Sequence, residues 1–236
     1  MMIKAVLFDL DGTLLPMDQD VFTKAYFKAL AKKLLPLGYE PQKLVRSMWN
    51  GMKAMSMNDG NQTNEAVFWK SFKEDYGDDV IKDKDTFDDF YRSEFQNVQS
   101  VCGVNADVKD AVRKIKSMGL RTITATLPVF PLYAIESRIR WAGLVPEDFE
   151  YITSYENSYH TKPNIAYYQD IAKIINCRPE ECLMVGNNVD EDMIAENIGM
   201  NVFLVPDCLI NENGKDISIY PRGDFKDLVK YIETIH

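Results

Sequence analysis

Hydrophobic positions along the chain follow three successive patterns. Residues 3–8 are apolar apart from Lys4 and run straight into Asp9-Leu10-Asp11-Gly12-Thr13-Leu14. A short apolar run that ends in turn residues predicts a strand buried in a parallel sheet. Beyond Pro16 the spacing changes to threes and fours, and from about Val21 to Gln99 it predicts amphipathic helices. Phe22, Tyr26, Ala29, Leu30 and Lys33 mark the first. After Gly38 and Pro41, the positions Leu44, Val45, Met48, Trp49, Met52 and Met55 mark the second. The cluster Asn58-Asp59-Gly60-Asn61 predicts a turn. Thr63 is placed to cap a third helix carrying Ala66, Val67, Trp69 and Phe72, and Phe87, Phe90, Tyr91 and Phe95 mark a fourth.

From Asn105 onward helices and strands alternate. Val108, Val112 and Ile115 give a helix stopping near Gly119. Strands are predicted over 121–126, 151–154, 182–185 and 201–205, and helices over 133–142, 167–175, 193–198 and 225–235. This alternation predicts the α/β class, a doubly wound parallel sheet with helices on both faces and a Rossmann-like core. The first strand must join that sheet. The division expected is therefore a core of residues 1–17 and 103–236, with 18–102 inserted as a separate helical unit.

Composition narrows the function classes. The 236 residues are 46% hydrophobic, enough for a real core, and the formal net charge is −9. An acidic surface argues against nonspecific binding of nucleic acid or anionic membranes. Cys102, Cys177, Cys182 and Cys208 have no metal-ligand spacing and read as free, buried thiols. No secretory leader or membrane span is expected, since the first apolar run is only a strand long. The expectation is a cytoplasmic protein, a monomer or small homo-oligomer.

The candidate chemistry begins at the first strand's end. In parallel sheets reactive groups collect beyond the carboxyl ends of the strands, where Asp9 and Asp11 fall. Two carboxylates so close repel unless a cation lies between them or one takes a proton. The first outcome gives a magnesium site, and the second gives one nucleophile and one general acid/base. Gly12 lets the backbone turn tightly behind them. The plainer alternative is an Asp-rich turn that only ends a strand.

The stretch FDLDGTL resembles the first motif of the haloacid dehalogenase-like hydrolases, a superfamily dominated by phosphatases. The resemblance implies that Asp9 attacks phosphorus to form an aspartyl-phosphate. It implies that Asp11 protonates the leaving alcohol and later activates water. An acid at position 11 fits the phosphate-handling branch rather than the true dehalogenases. A helical cap between the first and second motifs is also what the resemblance implies for residues 18–102.

Further motifs follow in family order. Thr126, closing an apolar strand, looks like the second motif, its hydroxyl donating to phosphate. The family often has Asn next, where this chain has Leu127 and Pro128, leaving the Leu127 backbone N–H as a phosphate donor. Lys162, before Pro163, resembles the third motif. Its task would be to hold phosphate and shield Asp9. Pro163 is expected to start the helix holding Tyr167 and Ile171, so that Lys162 points toward a turn rather than the core. His160 reads as a surface or rim residue. The stretch Val185-Gly186-Asn187-Asn188-Val189-Asp190-Glu191-Asp192 stands in the fourth motif's place, with Asn187 where the family has an acid. Magnesium is then expected on Asp9, the backbone carbonyl of Asp11 and Asn187. Asp192 would act from behind the ligands or through a water, and Asp190 is also within reach.

For specificity the helical unit offers Arg46, Trp49, Asn50 and Lys53, while Met48, Met52 and Met55 suit the core better. The leading function is a magnesium-dependent phosphatase acting on a small phosphorylated metabolite. The alternatives are a mutase returning the phosphoryl group to a sugar, and a non-catalytic protein binding a phosphate ligand.

Overall fold

The structure is a computed structural model describing residues 2–236. Five parallel strands form one sheet in the order β3-β2-β1-β4-β5: β1 Ala5–Phe8, β2 Arg121–Thr124, β3 Tyr151–Ile152, β4 Cys182–Gly186 and β5 Asn201–Leu204. The central strand β1 pairs on both sides, with Phe8 opposite Thr124 on β2 and Val185 on β4. After β3 the chain crosses back to the other side of β1, so the strand order reverses between β1 and β4. A crevice opens at the carboxyl ends of the strands at such a switch point.

Alternation along the strands divides the core. Val6 and Phe8 face α5 (Asp107–Ser117), α6 (Leu132–Trp141) and α8 (Phe225–Ile235). Ala5 and Leu7 face α7 (Ile165–Ile174) and a 3-10 turn, Met193–Ile198. Both faces are covered, which is why these strands read as continuous apolar runs.

Between β1 and α5 the chain forms α1 (Gln19–Leu34), α2 (Pro41–Ser56), α3 (Asn64–Tyr76) and α4 (Lys84–Arg92). Asp18 caps α1 by accepting from the Val21 N–H, and Thr63 caps α3 by accepting from the Ala66 N–H. Aromatic side chains fill this unit, with the Tyr26 and Tyr91 hydroxyls bonded at 2.8 Å. The outgoing and returning segments run side by side. Met17 and Cys102 form an antiparallel bridge, and the Gly103 N–H donates to Pro16 O at 2.7 Å. Buried Asn64 ties α3 to the core, its side chain donating to the carbonyls of Pro128 and His160.

Several expectations need correction. Residues 193–198 form a 3-10 turn rather than an α-helix, and Phe95 lies in a second such turn, Glu94–Val101. Pro163 does not begin a helix. Asn164 caps α7 by accepting from the Ala166 N–H at 3.0 Å, so the helix starts at Ile165. All four cysteines are free, but only Cys182 is buried. Among the described residues no helix is long and apolar enough to cross a membrane.

Candidate active site

Asp9 follows β1 directly, its N–H donating to Val185 O at 2.9 Å, so the strand's last ladder bond aims its carboxylate into the crevice. One carboxylate oxygen accepts from Lys162 Nζ at 2.8 Å and the other from the Thr13 hydroxyl at 3.1 Å. Lys162 does not point away from the core. It is 2% exposed and reaches in to bridge Asp9 and Asp192, the latter at 2.6 Å. Burial alone would depress its ammonium, but the charges of Asp192 and Asp9 outweigh that and hold it well above its ordinary value. Burial pushes the Asp192 carboxyl up, and the Lys162 ammonium opposes the shift. Two donors on Asp192 fit an ion pair.

Asp192 is fully engaged. One oxygen takes Lys162 and the other takes the Asn188 N–H at 2.9 Å. It therefore fixes Lys162, as a residue acting from behind the ligands would. Gly186 makes room for it, since a Cβ there would stand 2.1 Å from an Asp192 carboxylate oxygen. Asp190 does not reach the crevice side of this arrangement. It pairs with Lys215 at 2.8 Å.

Asn187 is 1% exposed, and its amide is oriented by its neighbours. The nitrogen donates to Cys208 O at 2.6 Å, which places the oxygen on the Thr13 hydroxyl at 2.9 Å. Thr13 thus joins the Asp9 and Asn187 oxygens through one hydroxyl. With the Asp11 backbone carbonyl these are hard oxygen donors of the kind magnesium takes. The donor set fits the cation but carries a single formal charge. Consistent with this, no cluster of three or more His, Cys, Asp or Glu side chains suited to a metal occurs among the described residues. Gly12 sits under the amide at φ +89°, and a Cβ there would be 2.4 Å from the Asn187 side-chain nitrogen.

Asp11 is held differently from Asp9. Its carboxylate pairs with Arg138 of α6, whose side chain is completely buried. Burial pushes the Asp11 carboxyl up, the Arg138 guanidinium pulls it back, and the Asp9 charge pushes it up again, leaving it above its ordinary value. The Arg138 guanidinium also packs 4.4 Å from the centre of the Phe130 ring. The two carboxylates at this strand end therefore have separate cationic partners.

Thr126 lies two residues beyond β2, 1% exposed, with its backbone pinned by Thr153 and Tyr167. Among the described residues none accepts from the Leu127 N–H. Asp9, Asp11, Thr126, Leu127, Asn187 and Asp192 line one cavity of about 500 Å³, with Lys162 beneath it. The structure thus gathers these seven candidate positions, while Asp190, also offered by the sequence, lies apart on Lys215. Of the specificity candidates only Trp49 lines the cavity, while Asn50 bonds to Asp75. Met48 and Met55 are core residues, but Met52 reaches the cavity. His160 pairs with Asp170 and lines a different cavity.

Sequence reasoning missed Arg138 and the role of Thr13. A signal for Arg138 was present. It stands on the same helical stripe as Ala134, Ile135 and Ile139, all fully buried, and a charge on an apolar stripe calls for a partner.

A family model of haloacid dehalogenase-like hydrolases matches residues 3–197, spanning the Asp9, Thr126, Lys162 and Asn187 positions. The chain belongs to that family. It is a hydrolase with the family's α/β core. Pyrophosphatase PpaX of Bacillus cereus is 22% identical over 201 residues, covering 84% of this chain and 81% of the relative. Among solved structures, one described as a predicted phosphoglycolate phosphatase from Haemophilus somnus superposes with a TM-score of 0.57 at 17% identity, covering 98% of both chains. L-2-haloacid dehalogenase from Xanthobacter autotrophicus superposes with a TM-score of 0.60 at 15% identity, covering all of both chains. These likenesses carry the fold.

Proposed function

We propose that this hydrolase is a magnesium-dependent phosphatase that cleaves a small phosphomonoester through an aspartyl-phosphate on Asp9. The observation that carries the reading is the division of labour at the end of β1. Asp9 is paired with Lys162 at 2.8 Å, and Asp11, one residue on, is paired with Arg138. Two neighbouring carboxylates in unlike environments suit a nucleophile and an acid/base. The acid at position 11 favours phosphoryl chemistry over dehalogenation, and the phosphatase names of the relatives agree.

In this reading an Asp9 carboxylate oxygen attacks phosphorus in line. The bond from phosphorus to the ester oxygen breaks as Asp11 gives that oxygen a proton. Asp11, now a carboxylate, takes a proton from the water that attacks the phosphoryl group, releasing phosphate and restoring Asp9. Lys162, the Thr126 hydroxyl and the Leu127 N–H hold the phosphoryl oxygens, and Asp192 keeps Lys162 in place. Asp9, the Asp11 carbonyl and Asn187 would hold magnesium, which supplies positive charge against the phosphoryl oxygens.

Residues 18–102 act as the cap and residues 1–17 with 103–236 as the catalytic core. The paired crossing at Met17–Cys102 and Pro16–Gly103 supports that boundary. The test is phosphate release from a panel of phosphomonoesters with and without magnesium. Release that needs the cation and is lost in Asp9→Asn is expected. Equal release in EDTA would refute the magnesium requirement.

A further inference from the structure

Beyond Asp9 and Asp11 the cavity changes character. Its lining is also aromatic, with Phe22, Tyr26 and Phe27 of α1, Trp49 of α2 and Phe130 from the loop after β2. The Tyr26 hydroxyl is already bonded to Tyr91. Trp49 is 51% exposed, yet its ring packs against Phe27 with centroids 5.5 Å apart. A half-exposed Trp at the mouth of a cavity offers apolar area that the fold itself does not use.

The charges there have one sign. Besides the catalytic carboxylates, Asp20, Glu191 and Glu212 line the cavity, and no Lys, Arg or His does among the described residues. The cations nearby are sealed off from the cavity: Lys162, 2% exposed, holds Asp9 and Asp192, and Arg138, 0% exposed, pairs with Asp11 and keeps its unpartnered Nη2 buried. A second phosphate or carboxylate on a substrate would therefore face acids with no free positive partner. Like-charge juxtaposition in a binding site costs several kcal/mol.

Resting on the phosphatase reading above, we propose that the esterified alcohol carries a flat apolar body and no anionic group of its own. Diphosphates, sugar bisphosphates and carboxylate-bearing monoesters are excluded by the Asp20, Glu191 and Glu212 wall. This separates the chain from what the names of its pyrophosphatase and phosphoglycolate phosphatase relatives suggest. It also argues against the mutase alternative, because a bisphosphate needs a second cationic subsite.

The test compares kcat/KM for benzyl phosphate, 2-phosphoglycolate and pyrophosphate with the magnesium-loaded protein. Benzyl phosphate and phosphoglycolate are both alkyl monoesters, so leaving-group reactivity does not decide between them. Benzyl phosphate is expected to lead by roughly a hundredfold, the scale of such like-charge rejection. Trp49→Ala should cut that ratio on the order of tenfold, and Glu191→Gln should raise turnover of phosphoglycolate. Parity, or a lead for phosphoglycolate or pyrophosphate, would overturn the proposal. Calorimetry of phenethylphosphonate and 3-phosphonopropionate, the non-hydrolysable analogues of the two monoesters, on magnesium-loaded wild-type protein gives the same ordering without turnover. Absence of any turnover therefore counts against the phosphatase reading, and a reversed order of binding counts against this one.

Discussion

Arg138 reaches from the apolar face of α6 to the carboxylate of Asp11, with its own side chain wholly sealed from solvent. Its guanidinium is flanked by Phe130 at 4.4 Å and Phe22 at 5.8 Å. A cation placed so deep is costly unless paired, and Asp11 is its ion-pair partner. The pair fixes the direction of the Asp11 carboxyl while leaving Asp9 to Lys162.

Arg138→Met should therefore impair turnover through Asp11. Removing the guanidinium removes the influence that lowers the Asp11 carboxyl, so its acid form persists to higher pH and both limbs of the pH–rate profile move upward. The loss should be larger for alkyl phosphates than for nitrophenyl phosphate, whose leaving group needs no proton. Arg138→Lys should recover part of the alkyl rate. Breaking the buried pair should also cost about 3–5 kcal/mol of stability. Equal losses on both substrates with an unmoved pH profile would reduce Arg138 to a structural role.

Lys162 holds two carboxylates together, so its removal should be doubly damaging. Lys162→Met leaves Asp9 and Asp192 facing each other without a cation, and a loss of about 3–5 kcal/mol is expected. Turnover should fall by at least the 100-fold order typical of removing one preorganised oxyanion donor. Adding Asp192→Leu should return much of the stability and none of the activity, read by thermal melts and steady-state kinetics. Recovery of turnover in the double variant would contradict the role given to Lys162.

Asn187→Asp should tighten magnesium and loosen the fold. A carboxylate adds charge for the cation, but it cannot donate to Cys208 O as the amide does. The variant should melt lower than the parent without magnesium and gain more from adding it. Calorimetry should give a stronger magnesium affinity, with half-maximal activity at a lower concentration. An unchanged affinity in folded protein would show that position 187 does not contact the metal.

Much of the site was legible because its residues stand at element ends. A buried strand stops where polar residues begin, so Asp9, Thr126 and Asn187 were fixed once β1, β2 and β4 were placed. The central position of β1, and hence the convergence of these three ends, depends on strand order and could not be read from periodicity. Lys162 shows another limit. Its place before Pro163 pointed to a turn outside the core, although the resemblance gave it the task of shielding Asp9; Asp192, 30 positions on, draws it inward. Arg138 was hidden for the opposite reason, because its helix was recognised by apolar spacing alone. The turn Met193–Ile198 had helical spacing, yet it is only six residues long and tightens to 3-10 geometry between Asp192 and Gly199.

Glu181, at the entry to β4, provides a pH test away from the site. Lys4 at 2.8 Å, the Arg178 N–H at 2.9 Å and the Arg178 guanidinium at 3.0 Å hold its carboxyl down to about 2, from an ordinary 4.5. A depressed carboxyl stabilises the fold above its unfolded value, and that contribution is lost as pH falls through the folded one. Wild type should therefore exceed Glu181→Gln in stability at neutral pH. The gap should close between pH 4.5 and about 2 in acid-unfolding titrations. A gap that is constant with pH would assign Glu181 a packing role alone.

In the proposed mechanism Asp9 carries the phosphoryl group. The direct measurement is to quench magnesium-loaded protein in acid during turnover, reduce it with borohydride and map the peptides. An acyl-phosphate on an aspartate is reduced to homoserine, so the account predicts homoserine at position 9, dependent on substrate and absent from Asp9→Asn. Active protein with homoserine at another aspartate, or turnover surviving in pure Asp9→Asn, would contradict it.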